Sequence, residues 1–118
     1  MTRKSDTVYL RHILDAILKV EEYTQGVDYK TLCQNTLIQD GVIRQLEIIG
    51  EATRRVSVNL KEKYAQVPWK DIAGMRDKLI HDYFGVDIDL VWRTLEQDIP
   101  PLKAEIGKAW REIQSTGG

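Results

Sequence analysis

The chain has 118 residues, a formal net charge of −1, 42% hydrophobic and 30% charged side chains, and one cysteine. That length suffices for one core to fold without metals or disulfides. The single Cys33 rules out an internal disulfide or a thiolate zinc cluster and suits a reducing cytoplasm, while the balanced charge rules out a broad basic surface for long nucleic acid, so any RNA site must be local.

The N-terminus Met1–Asp6 runs into an amphipathic pattern rather than the continuous apolar stretch of a signal peptide or membrane span, so neither export nor membrane insertion is expected. No solenoid repeat is visible, and residues 1–118 read as one domain. From Asp6 to about Glu22, Leu10, Ile13, Leu14, Ile17 and Leu18 form the apolar stripe of a first helix. Gly26 breaks it, and Asp28–Thr31 opens a short helical turn. Asn35 is placed to cap a second long helix to about Val56, with Ile38, Val42, Leu46, Ile49 and Thr53 inward. Its Gly41 and Gly50 each cost about 1 kcal/mol against alanine in a helix, which close approach of a neighbouring helix would explain.

Residues 59–67 read as a connection. Pro68 then suits the first turn of a third helix reaching about Tyr83, with Gly85 ending it and Asp87 capping a fourth, whose first turn carries Asp89. The last helix presents Leu90, Val91, Leu95, Ile99, Leu102, Ile106 and Trp110, with a kink or break expected at Pro100-Pro101. Without sustained strand alternation, the expected fold is all-α, an up-and-down bundle of four main helices with short additional helical turns.

The strongest chemical lead is Arg76 with His81. Histidine exchanges protons near neutral pH, and arginine offers a planar, permanently charged fork for phosphate oxygens. Both suit phosphodiester cleavage, in which a base takes the ribose 2′-hydroxyl proton, a cation stabilises charge at phosphorus, and an acid protonates the leaving 5′-oxygen. On one continuous helix the two would stand ~140° apart. One chain also offers one nearby histidine where a base and an acid are wanted, so a twofold dimer with the third helix at its axis is expected to complete the site.

Other residues have simpler readings. His12 fits a helix surface, Cys33 a buried or partly buried small residue, and Trp69, Trp92 and Trp110 core or interface anchors with one of the three exposed. Asp82, Asp87 and Asp89 form an acidic cluster that could suggest Mg²⁺, but capping of the following helix explains two of them, and no metal or cofactor is expected. Lys70, Lys78 and Arg93 read equally as solvated charges or phosphate contacts.

Arg76-x4-His81-x-Tyr83, with the polar Asp77 after the arginine, resembles the RxxxxHxY signature of the HEPN toxins of the HepT-like family, which pair with minimal nucleotidyltransferases. The lead-in Trp69–Met75, the exit Phe84–Asp87, the size and the helix order are similar too. The resemblance implies a HEPN-like bundle acting as the toxin of a toxin–antitoxin pair, a metal-independent endoribonuclease cleaving tRNA or mRNA. It implies Arg76 and His81 as catalytic residues, Asp77 orienting or tuning them, and Tyr83 as the acceptor of AMP from the cognate nucleotidyltransferase antitoxin. The alternative is a non-catalytic helical subunit binding nucleotide or substrate for such a nucleotidyltransferase, since the fold alone does not license the activity.

Overall fold

The computed structural model describes residues 4–81 and 85–115, with the backbone alone for Lys4, Arg76 and His81. Helices dominate: α1 (Lys4–Thr24), α2 (Tyr29–Gln34), α3 (Thr36–Arg55), α4 (Val58–Lys63), α5 (Trp69–Ala73), α6 (Met75–Leu79), α7 (Ile88–Arg93) and α8 (Ile99–Ser115). A π-helical stretch, Thr94–Asp98, joins α7 to α8, and the two-residue strands β1 (Ile80–His81) and β2 (Gly85–Val86) pair antiparallel after α6. The all-α expectation holds. Its four main tracts are α1, α3, the α5–α6 pair and the column from α7 through α8.

The core forms where amphipathic faces meet. Leu10, Ile13, Ala16, Ile17 and Val20 of α1 are buried, and α1 packs along α3 and against α8. Spacings of three and four keep these residues on one face. Leu18 falls off it and is 54% exposed, contrary to the stripe read from sequence. On α3, Val42, Leu46, Ile49 and Thr53 are buried and Ile38 is partly so. Asn35 caps this helix, its Oδ1 accepting from Ile38 N–H at 3.0 Å, and Asp28 caps α2 in the same way.

Both α3 glycines meet a neighbour. A Cβ on Gly41 would lie 3.2 Å from the Tyr23 ring, and one on Gly50 would lie 3.1 Å from the Ile72 carbonyl oxygen and 3.3 Å from that of Ala73. Gly50 therefore lets the end of α5 rest on α3.

The segment read as a connection after residue 58 contains α4. Ser57 caps it, and the six residues bury only Leu60, too few to display a helical period. Ser57 also ties the chain ends of two elements together. Its N–H and Oγ donate to Asp6 Oδ1 at 2.8 Å and Oδ2 at 2.5 Å, and both residues are buried. At the other end of α4, Tyr64 donates its hydroxyl to Glu112 of α8. Burial and this contact push the Tyr64 hydroxyl up to about 12, while the same bond holds Glu112 below the usual carboxylate range.

The expected third helix is not continuous. Pro68 precedes α5 rather than entering it, and Gly74 separates α5 from α6. The helix ends at Leu79, because Ile80 and His81 extend to pair with Val86 and Gly85. β-branched Ile80 and Val86 favour the pleat, and Gly85 adopts φ +78, which glycine accepts without strain. Gly85 thus belongs to a hairpin and does not terminate a helix. The Asp87 N–H continues the ladder to the Leu79 carbonyl at 2.8 Å, and its carboxylate caps α7 through Leu90 N–H at 3.1 Å.

The Pro100-Pro101 pair stands in the first turn of α8. The π stretch directly before it carries an Ile99 N–H bond to the Thr94 carbonyl, five residues back. Widening the ladder relieves the clash that a proline ring makes with the preceding turn. The expected irregularity is therefore a π segment in a continuing column. Among the described residues, no helix is long and apolar enough to cross a membrane.

Candidate functional site

Arg76 and Asp77 are the second and third residues of α6, and His81 is the second residue of β1. The bend from α6 into β1 takes His81 off the helix, so the angular separation expected on one helix does not apply. Tyr83 and Asp82 lie outside the described residues. Asp77 is exposed and lines a cleft of about 350 Å³ with Ala73 of α5 and Arg44, Glu47, Gly50, Glu51 and Arg54 of α3.

The cleft arises from the close approach at Gly50, which sets α5 and α6 directly against α3. Arg44, Glu47, Glu51 and Arg54 follow one another at spacings of three and four, the period of a single helical face. A second hollow of about 290 Å³ shares Arg44, Glu47 and Glu51 and extends to Tyr9 and His12 of α1 and to Arg55. The two hollows share a ridge of α3 side chains, Arg44, Glu47 and Glu51, with α5 and α6 on one flank and α1 on the other.

Charge along this ridge is unevenly paired. Glu51 binds both Arg54 at 3.7 Å and Arg55 at 3.1 Å. Contact with Glu51 first, and with Tyr9, holds the Arg55 guanidinium above its ordinary range. Arg44 is exposed and, among the described residues, makes no ion pair or hydrogen bond. The sequence reading passed over this α3 wall. Its signal was present as a charged stripe opposite the apolar one, with a glycine inside it.

The remaining expectations divide. His12 is exposed, its ring edge-on to Tyr9 with centroids 6.2 Å apart. Cys33 is exposed rather than buried, because α2 buries only Leu32. Trp69 is buried and Trp92 and Trp110 are half-buried against the core, so none of the three is exposed. Lys70 and Arg93 are exposed, and Lys78 pairs with Asp71 at 3.7 Å. Lys78 faces a separate, mainly apolar groove of about 290 Å³ between α5–α6 and α8, floored by Ile72, Met75, Leu79, Ile99 and Leu102. Among the described residues, no cluster of three His, Cys, Asp or Glu side chains could hold a metal.

Comparison with known proteins places this arrangement. The family model described as Ribonuclease HepT-like matches residues 13–109, which include α6, β1 and the whole α3 wall. A "gamma-glutamylcyclotransferase and putative RNase" of Methanocaldococcus jannaschii is 46% identical over 111 residues, covering 94% of this chain and 50% of that protein. The chain thus spans half the length of that relative. A "putative RNase" of the same organism is 41% identical, covering 90% of this chain and 97% of the relative. A "probable ribonuclease HepT" of Thermococcus cleftensis is 42% identical, covering 90% and 96% respectively. No solved structure gives a significant match. On the extent of the family match and the near full-length likeness of the last two relatives, the chain belongs to the HepT-like ribonuclease family.

Proposed function

We propose that the protein is a metal-independent endoribonuclease, the toxin of a toxin–antitoxin pair, acting in the cytoplasm on tRNA or mRNA. The observation that carries this reading is the family match across residues 13–109, the span within which Arg76, Asp77, His81 and Tyr83 fall. In the proposed reaction a histidine base takes the 2′-hydroxyl proton. The 2′-oxygen bonds to phosphorus as the bond to the 5′-oxygen breaks, and an acid returns a proton to that leaving oxygen. Arg76 neutralises the charge developing on the phosphoryl oxygens, and Asp77 orients the catalytic pair. The product ends are a 2′,3′-cyclic phosphate and a 5′-hydroxyl.

Control is proposed to act at Tyr83. A partner nucleotidyltransferase would move AMP from ATP to the tyrosine hydroxyl, releasing pyrophosphate. The added negative phosphate then repels the RNA phosphate and competes for Arg76.

The test is RNA cleavage by purified protein in excess chelator, followed by end-group analysis. Arg76→Ala and His81→Ala should each lose cleavage while keeping the helical circular dichroism of the parent. Tyr83→Phe should cleave but gain no AMP mass with the partner and Mg-ATP. Strict Mg²⁺ dependence with 5′-phosphate ends would defeat the mechanism, and an AMP-sized gain on Tyr83→Phe would defeat the assignment of the acceptor.

A further inference from the structure

We infer that Arg44 is a positioning residue that holds a backbone phosphate of a single-stranded RNA laid along the α3 wall beside α6. The inference rests on the RNA-cleaving reading and extends it from the reacting phosphate to its neighbours. Arg44 lines both hollows, the one beside Asp77 and the one beside Tyr9 and His12. It is exposed, and no acidic group among the described residues neutralises it, whereas Arg54 and Arg55 are both engaged by Glu51. A guanidinium left unpaired in a cleft is suited to a phosphate, which it can bind through two parallel N–H donors.

An unpaired strand suits this surface, because hollows of about 290 and 350 Å³ each have room for a group the size of one nucleotide. Glu51 is shared between Arg54 and Arg55, so those guanidinium groups are engaged, and among the described residues Arg44 is the arginine of this face without such a bond. Since one arginine supplies the contact, binding should be weak, local and dependent on salt, as the chain's net charge of −1 also requires.

The experiment measures binding apart from cleavage. A labelled single-stranded RNA of ten nucleotides is titrated, by fluorescence anisotropy over a range of salt, into the His81→Ala protein with Arg44 intact, Arg44→Gln or Arg44→Lys. Lys108→Gln, an exposed α8 change that lines neither hollow, is the control. Arg44→Gln should weaken binding about three- to tenfold at low salt and lower the slope of log Kd against log salt by about 0.7, the value for one single-strand phosphate contact. Arg44→Lys should restore the slope. Equal Kd and slope for Arg44→Gln and Lys108→Gln would overturn the inference, as would light scattering showing that Arg44→Gln splits an assembly, since Arg44 would then belong to a subunit contact. The cleavage assay on the parent separates the two readings. Cleavage with Arg44-independent binding removes this inference alone, and Arg44-dependent binding without cleavage removes the ribonuclease reading alone.

Discussion

Asp6 has no solvent exposure, yet it carries a carboxylate whose two oxygens accept from Ser57 N–H and Oγ. A buried acceptor of this kind is tolerated only when satisfied, and the same bond fixes the start of α1 to the start of α4. Removing the carboxylate strands the Ser57 N–H in the interior. Asp6→Ala should therefore cost about 2 kcal/mol, read as a lowered urea midpoint at unchanged slope. Asp6→Asn keeps an oxygen for the N–H and should cost clearly less. Equal losses for the two variants would show that the pairing geometry contributes nothing. Nothing in the sequence marked Asp6 for this role, because its partner stands 51 positions away. The letters Arg76, His81 and Tyr83 were legible as a spacing, but a spacing carries no conformation. Here the conformation changes between the first residue and the second, from α6 to β1.

Elements with a long apolar period were readable, and elements specified by a few residues were not. α1 and α3 each repeat their buried face over several turns, so their positions, and the Asn35 cap, followed from periodicity and capping. The tract from Trp69 to Val86 instead consists of two five-residue helices and a hairpin, whose lengths are decided by Gly74, by the left-handed Gly85 and by strand pairing. Those are tertiary decisions on short segments, where propensity is a weak guide. The α3 glycines offer a test at this scale. Gly50→Ala drives a methyl toward two backbone carbonyls of α5 that cannot rotate away. It should destabilise by about 1–2 kcal/mol and lower RNA cleavage, since α5 leads directly into the segment with Arg76 and Asp77. Gly41→Ala meets the Tyr23 ring, a side chain 37% exposed and able to swing outward. It should be neutral or stabilising by up to about 1 kcal/mol through helix propensity. Thermal melts of the pair check the order, and a Gly50→Ala protein melting above Gly41→Ala would contradict the proposed contact.

At the scale of the whole molecule, the chain is elongated, with extents of 45 × 29 × 20 Å, and the proposed chemistry asks it for a base and an acid. One histidine stands in the motif. The other, His12, sits exposed on α1, beside the hollow on the far flank of the α3 ridge. A twofold pairing of chains with α6 and β1 near the axis would bring two copies of the motif into one cleft, because an isologous contact presents each residue twice. This arrangement makes a quantitative prediction. If the motif histidine of one chain serves as base and that of its partner as acid, a mixed pair of parent and His81→Ala subunits has no working site. With total protein held constant and subunits exchanged to equilibrium, activity should then follow the square of the parent fraction, so that equal mixing leaves about a quarter of the activity. His12→Ala should cleave as the parent does. A linear dependence on parent fraction, or a monomer by light scattering at micromolar concentration in a fully active preparation, would mean that each chain carries its own complete site. If His12→Ala also abolished cleavage in that case, the second proton-transfer group would be His12 of the same chain.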